Sequence, residues 1–378
     1  MRLLVSCIPY DRGRSGISTY VREVVKALAA QGHALTLLCE PAARGEEGLK
    51  SEVERLGLRV STVDAPRWTR RAVLSMLWHL FVLPFWIRRR RRDFDGFVVC
   101  AANRRVCAWY PVPAAATVHD LANFHIPGKY SRLRMFYLAH VLPFFAKRAQ
   151  HLVAVSGATK ADMVKYWHCR AEDVTVLYNG LGEVESPKFK VESGKPELSA
   201  ILYISRIEHP GKNHVRLVEA YGKLPRELAA AHPLVLAGAD WKDADVVHAA
   251  AAKSPHADLI RFTGFVDDIE ALWRDAGFYV FPSLFEGFGL SLVEAMARGI
   301  PCACANNGSL GEQLLTSLDE LGVKPIEAVG KEFDPELHNA VMHVEDEEAG
   351  ENIIVEEFQK GYMYKESVVR HSMVKVAN

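Results

Sequence analysis

Apolar strand-like runs alternate with helical patterns through most of this 378-residue chain, and that alternation predicts an α/β protein. A polar stretch, LGEVESPKFKVESGKPELS at 181–199, splits the alternation into two consecutive arrays. After residue 312 the alternation stops, and turn signals with short β-rich runs replace it. Together these observations predict two doubly wound domains, at 1–180 and 200–312, facing a cleft. The linker is 181–199, and a small mostly-β domain fills 313–378.

The elements follow in order. RLLVSCIP (2–9) reads as a first strand, and YDRGRSG leads into the helix ISTYVREVVKALAAQG. Its Ile17, Tyr20, Val21, Val24, Val25 and Leu28 recur at helical spacing, and Gly32 is a natural stop. ALTLLCE (34–40), GFVVCA (96–101), AAATVHD (114–120), HLVAVSG (151–157) and VTVLYNG (174–180) read as further strands. Their continuous apolar character suits a parallel sheet covered on both faces. In the second array AILYIS (200–205), PLVLAGA (233–239), LIRFTG (259–264), FYVFPS (278–283) and PCACAN (301–306) are strands. Helices are expected from Lys212, near 242–253, from Asp267 and from Leu290. QLLTSLDEL at 313–321 reads as one short helix.

The formal net charge is zero but unevenly spread: residues 1–312 carry +8 and residues 313–378 carry −8. Such asymmetry marks two parts with different partners. Nothing in the pattern points to nucleic acid. Seven scattered cysteines read as buried free thiols in a reducing cytosol, and Cys302 and Cys304 lack the second ligand pair that zinc needs. The N-terminal apolar run is too short for a signal peptide. Ala72 to Ile87 is 16 residues long and contains His79 and Pro84, where a spanning helix needs about 20 cleaner residues. Arg88 to Arg92 follow it. Two readings stay open: a buried helix with a solvated arginine cap, or a helix lying on an anionic membrane surface.

The richest stretch is FEGFGLSLVEAMARG, 285–299. It follows a strand, and ligands of such sheets sit outside the carboxyl ends of strands. That puts Glu286 at the cleft mouth. Gly287 and Gly289 let backbone approach a ligand closely. The helix expected from Leu290 offers free N–H groups and a positive dipole end to a phosphate. Glu294 lies roughly 6 Å further along the helix axis. Carboxylates at both ends of a phosphate-bearing ligand suit vicinal hydroxyls, so a sugar nucleotide is implied. SRIEHPGKN supplies Arg206 and Lys212 after the strand AILYIS, two cations for a diphosphate. In the first array Gly16 opens a helix beside the cleft. His119 ends a strand on the same side, where it can bond a sugar hydroxyl or polarise the reacting centre.

Residues 2–312 resemble glycosyltransferase family 4, the retaining enzymes of the GT-B fold, in which two Rossmann-like domains face a cleft. The carriers are SGIS (15–18), VHD (118–120), VAVSGATKADM (153–163), YNG (178–180), YISRIEHPGKNH (203–214), FTGFVDD (262–268) and FPSLFEGFGLSLVEAMARGIP (281–301). The resemblance implies that Glu294 holds the nucleotide ribose and that Glu286 contacts the transferred sugar near its reacting centre. The backbone of Gly287, Phe288, Gly289 and Leu290 contacts sugar and phosphates. Arg206 and Lys212 bind the diphosphate. Gly16 serves the phosphates or the acceptor, and His119 lies beside the transferred sugar. Ser15 stands where many relatives carry a first glycine, which makes that loop less open. The implied reaction moves a sugar from a nucleotide-diphosphate donor to a glycan or lipid-linked acceptor with the anomeric configuration kept. No metal is obligatory, and no D-x-D pair sits at a strand end.

The stretch 313–378 resembles the C-terminal head of GrpE-type nucleotide exchange factors. Its carriers are GVKPIEAVGKEFDPELHNAVMHVED, GENIIVEEFQKGY and VVRHSMVKVAN. The resemblance implies docking on the ATPase domain of a DnaK-type chaperone. The long dimerising helix that normally precedes such a head does not precede it here. Family 4 enzymes usually run past this point with more of the second domain and a helix that crosses back. The second sheet is therefore expected to be truncated, with an exposed apolar edge. Two functions follow: a glycosyltransferase, cytoplasmic or peripheral on the inner face of a membrane, or a chaperone-binding head joined to an inactive, truncated transferase.

Overall fold

A computed structural model describes the chain except residues 12–14, 41–48, 56, 58–59, 129, 182–198, 267, 313–314, 316–322, 346–348, 365–366 and 378. It divides into two compact units, Met1–Gly311 and Glu312–Asn378. Most of the expected linker and of the QLLTSLDEL helix falls outside the described residues.

The first unit contains two parallel sheets. In the first lobe the strands are β1 (Arg2–Ser6), β2 (Ala34–Cys39), β3 (Val60–Asp64), β4 (Gly96–Val99), β5 (Ala114–Val118), β6 (His151–Ala154) and β7 (Val174–Val176). They lie in the order β3-β2-β1-β4-β5-β6-β7. Alternation along β1 sends Leu3 and Val5 into one core with Val21, Val25 and Leu37. Leu4 goes to the opposite core with Phe97, Val118 and Trp167. A strand apolar on both sides needs cover on both sides, which is why these runs read as unbroken apolar stretches. The sequence reading missed β3, whose VSTVD alternates polar residues at a sheet edge.

The second lobe contains β8 (Ala200–Ile204), β9 (Leu234–Ala237), β10 (Ile260–Gly264), β11 (Ala276–Phe281) and β12 (Cys302–Cys304). Their order is β10-β9-β8-β11-β12, all parallel. Strand order reverses between β1 and β4 in the first lobe and between β8 and β11 in the second. Those two switch points are where a crevice opens at the carboxyl ends of the strands. Among the described residues no strand pairs with the outer edge of β12.

Local chemistry trims several expected boundaries. β11 stops at Phe281 because Pro282 has no N–H for the ladder. The helix expected from Asp267 begins at Ile269, where the Asp268 carboxylate accepts from the Glu270 amide at 3.2 Å. The helix expected from Lys212 begins at His214, after Asn213 in the left-handed region at φ 60°. Lys212 therefore sits on the loop ahead of the helix, not within it.

The segment 72–89 is helical throughout, in pieces Ala72–Leu77, Trp78–Val82 and Leu83–Arg89. One side of it is buried and the other is exposed. Trp78, His79, Leu80, Leu83 and Ile87 are buried, whereas Val73, Leu77, Phe81, Val82 and Phe85 are exposed. Among the described residues no helix is long and apolar enough to cross a membrane. All seven cysteines are free, five of them buried.

The second unit is mostly β. Its strands are β13 (Val323–Pro325), β14 (His338–Val344), β15 (Ile354–Gln359), β16 (Tyr362–Tyr364), β17 (Ser367–Arg370) and β18 (Ser372–Ala377). They form two three-stranded sheets, β13-β16-β17 and β14-β18-β15. Ala328, Ile354, Val374 and Val376 make its small core, with Phe333 and Ala340 packed against them.

Candidate active site between the two lobes

The second lobe brings its charges to the switch point of its own sheet. β8 ends at Ile204, and Arg206 follows two residues later. Neighbouring β11 ends at Phe281 and leads into the loop that carries Glu286. The fully buried Tyr203 joins the two strand ends: its hydroxyl donates to the Lys212 carbonyl at 2.9 Å and lies 2.9 Å from Ser283 Oγ. Asn213 adds a bond from its amide to the Pro282 carbonyl at 3.0 Å.

Arg206, Lys212, Glu286 and Gly287 line one cavity of about 90 Å³, with Asp120, Ala122, Ile126, Glu208, Gly211 and Phe285. Lys212 Nζ is bonded to Glu286 Oε1. Burial alone would lower the Lys212 pKa, but the Glu286 carboxylate, with Tyr203 and Glu208 behind it, outweighs burial and raises it. Arg206 lies 3.6 Å from Glu208 and 5.1 Å above the Trp241 ring. The cavity thus holds two cations among three carboxylates.

Two glycines set the shape of the loop. A Cβ on Gly287 would sit 1.7 Å from the His119 carbonyl oxygen, so only glycine lets this loop touch the first lobe. Gly289 has φ 86° and caps the helix Leu290–Ala297, and a Cβ there would meet Leu310 at 2.6 Å. Ser309 holds Glu286 from behind, its hydroxyl donating to the Glu286 carbonyl at 3.2 Å.

The first lobe supplies mostly neutral groups. His119 is buried; Nε2 donates to the Cys100 carbonyl at 2.7 Å, and the ring stands edge-on to Tyr20 at 4.7 Å. Burial lowers its pKa to about 4, so the imidazole is neutral near pH 7. Its side chain is not among those lining the 90 Å³ cavity; its main chain is what meets Gly287. Gly16 lies against Leu290, a Cβ there being 3.3 Å from Leu290 Cδ1, so two helix N-termini meet across the cleft. Ser15 caps the first of these helices, accepting from the Ser18 amide at 3.4 Å.

Glu294 and Phe288 sit apart from the cavity. Glu294 is mostly buried, and burial raises its pKa to about 7, an effect that Arg298 opposes and Glu270 reinforces. Phe288 is buried near Tyr178, with ring centroids 6.3 Å apart. The sequence reading gave no role to several polar residues of the site. Asp120 and Glu208 line the cavity beside expected residues. Ser156, Thr159 and His125 grip the 285–287 loop from the first lobe. The signal for Ser156 and Thr159 was the VAVSGATKADM motif; nothing local to His125 marks it.

Comparison with known proteins bears on the domains and the fold. Residues 14–182 match the model for Glycosyltransferase Family 4, residues 185–320 that for Glycosyl transferases group 1, and residues 309–378 that for GrpE. Among curated proteins, O-antigen chain mannosyltransferase B of Escherichia coli is 30% identical over 209 residues, 53% of this chain and 54% of that protein. Protein GrpE of Lachnoclostridium phytofermentans is 75% identical over 67 residues, 18% of this chain and 30% of that protein. The chain therefore spans about a third of the one relative and about half of the other. Among solved structures, Anabaena HepE in complex with UDP and glucose superposes with a TM-score of 0.59 at 20% identity, covering 82% of each chain. WaaG, a glycosyltransferase involved in lipopolysaccharide biosynthesis, gives 0.57 at 16%, covering 82% of this chain and 83% of its own. At these identities the structural likeness establishes the GT-B fold.

Proposed function

Because the chain carries family 4 and group 1 glycosyltransferase domains followed by a GrpE domain, we propose that its first unit transfers a sugar from a nucleotide-diphosphate donor to a glycan or lipid-linked acceptor. The observation that carries this reading is the meeting of Arg206, Lys212, Glu286 and the Gly287 backbone at one cavity on the switch point. In the proposed reaction the bond from the anomeric carbon to the diphosphate breaks, and its electron pair leaves with the phosphate oxygen. An acceptor hydroxyl oxygen bonds to the same face of that carbon, and its proton passes to the departing phosphate, so configuration is retained. Lys212 exchanges Glu286 for the phosphate, and with Arg206 it neutralises the growing charge. The N–H groups that open Leu290–Ala297 add to this. Freed from Lys212, Glu286 accepts from hydroxyls of the sugar. Glu294 takes the ribose, and His119 acts through its main chain, whose carbonyl meets Gly287 beside Glu286. With two protein cations on the leaving group no metal is required, and turnover should persist in excess chelator.

The acceptor side of the proposal rests on a surface. Phe85 packs edge-on to Trp109 at 4.6 Å. The neighbouring Ala108 carbonyl accepts from Arg148, and Arg148 lies 4.4 Å over the exposed Phe144. That chain of contacts joins the exposed side of the 72–89 helix to a second exposed aromatic segment. With Arg88–Arg92 at its end, the face suits an anionic membrane surface and a lipid-linked acceptor. The free thiols suit a cytoplasmic setting. A second reading is favoured by the GrpE match: residues 312–378 bind the ATPase domain of a DnaK-type chaperone.

A thermal-shift panel of nucleotide sugars and their diphosphates tests the main reading. One donor class should raise Tm, since ligand at 100 Kd adds about 2.7 kcal/mol. The product should keep the donor's anomeric configuration by NMR. No shift with any donor, and no donor hydrolysis, would end the transferase reading. Removal of 312–378 should abolish affinity for the chaperone, and binding that survives would end the second.

A further inference from the structure

Glu286 belongs to the second lobe, yet the residues on either side of it are gripped by the first. On the far side, Ser156 Oγ donates to the Gly287 carbonyl at 2.7 Å, and Thr159 Oγ1 shares its proton between that oxygen and the His119 carbonyl, each 3.3 Å away. Both hydroxyls sit at the start of the helix Gly157–Trp167, whose cap is Ser156 accepting from the Thr159 amide at 3.0 Å. On the near side, Phe285 is buried and stacks on the His125 ring, centroids 3.9 Å apart and planes 10° from parallel. His125 Nε2 is bonded in turn to Asp162 Oδ2 at 2.7 Å. Asp162 lies on that same helix, three residues after Thr159 and so on the same face. His125 also stands edge-on to Tyr166 at 5.6 Å, and Tyr166 stacks on Phe124 at 4.4 Å, so the imidazole is set from three directions.

We infer that His125 and Asp162 are positioning residues for Glu286: one helix of the first lobe brackets the carboxylate, by hydroxyls at Gly287 and by the imidazole stack at Phe285. This rests on the transferase reading of the cleft. Its physical basis is geometric. The Ser156 and Thr159 bonds fix the residue after Glu286, and Ser309 and Lys212 hold Glu286 within its own lobe, but none of these fixes the residue before it against the first lobe. The stack at Phe285 does so, and a displacement of about 1 Å at a reacting centre costs about a hundredfold in rate. The asparagine of Asp162→Asn keeps a hydrogen bond to the ring. The phenylalanine of His125→Phe keeps a flat stacking partner without that bond.

The test uses the full chain and four variants, with circular dichroism to confirm folding. In His125→Ala, kcat for donor hydrolysis or transfer should fall about 10- to 100-fold. Affinity for the nucleoside diphosphate, which lacks the sugar, should stay within about twofold. His125→Phe should recover part of that loss, and Asp162→Asn should lose less than His125→Ala. Hydrogen exchange of the amides at 284–289 should quicken about tenfold in His125→Ala. Equal loss of kcat and of diphosphate affinity, with His125→Phe no better than His125→Ala, would reduce the pair to a scaffold role and overturn the inference. Unchanged exchange at 284–289 would overturn it without any activity measurement. Glu286→Ala separates the two levels: if it is inactive while His125→Ala is unimpaired, the positioning inference fails and the transferase reading stands. If Glu286→Ala turns over normally, the role of Glu286 fails, and with it the need to position it.

Discussion

At the cleft the two lobes bring different chemistry to one place. The second contributes Arg206, Lys212, Glu208 and Glu286 from the ends of two adjacent strands. The first contributes the hydroxyls of Ser156 and Thr159, the imidazole of His125 and the main-chain carbonyl of His119, with Asp120 as its charge at the cavity. Charged groups can act on a ligand only if something neutral and well packed holds them at the correct separation. The difference teaches a division of labour: one lobe carries charge, and the other fixes where that charge sits.

The sharpest break of this division is Lys212→Ala. It removes a partly buried cation and leaves Glu286 without its partner. Turnover of a nucleotide sugar, measured by initial rates, should fall about a thousandfold, in line with loss of one fixed electrostatic donor. Gly287→Ala attacks the seam instead of the charge. With a Cβ 1.7 Å from the His119 carbonyl, the loop must back away from the first lobe. We expect a loss of about a hundredfold in kcat and a lower Tm, both measurable on one preparation.

Glu294→Gln sharpens the comparison through pH. Burial raises the folded-state pKa of this carboxyl from 4.5 to about 7, so the folded chain holds a proton that the unfolded chain has released. The favourable contribution is complete below pH 4.5, declines as pH rises, and is gone above about pH 7. The glutamine variant should therefore be more stable than the parent at pH 8, by about 1–3 kcal/mol, and equal to it at pH 4. Denaturant titrations at the two pH values check this; an equal difference at both would refute it. The smallest effect belongs to the outer face of the first lobe. Phe81→Ser with Phe85→Ser should cut partitioning onto anionic vesicles about tenfold. Stability should fall by no more than about 2 kcal/mol, because both side chains are about half exposed and Phe85 gives up only its edge-on contact with Trp109.

Much of this architecture could be read from the chain. Most strands of both sheets announce themselves because a parallel sheet covered on both faces needs near-continuous apolar runs such as LVLA, or ALTLLC with its single threonine. β3 escaped because VSTVD, on a sheet edge, is half polar. Arg206, Lys212 and Glu286 were legible because each follows a strand at a fixed short distance, and strand ends of this topology open onto a crevice. The pairing of His125 with Asp162 was not. Asp162 lies within the VAVSGATKADM motif but His125 in a loop with no pattern, 37 residues away, and only packing brings them together at 2.7 Å. The same holds for the apolar side chains of 132–146: only the structure shows that Leu133, Phe136 and Phe144 face outward.

By itself the sequence determined the kinds of element, the order of the two arrays, the abrupt change near residue 312, and which charged groups stand at strand ends. All of these are local or periodic properties, carried by side-chain pattern over a few residues. The tertiary structure alone decided which groups share a cavity, which neutral residues hold Glu286 from across the cleft, and which aromatic side chains stay at the surface. Those outcomes depend on contacts between residues far apart in the chain, and no window of sequence contains both partners.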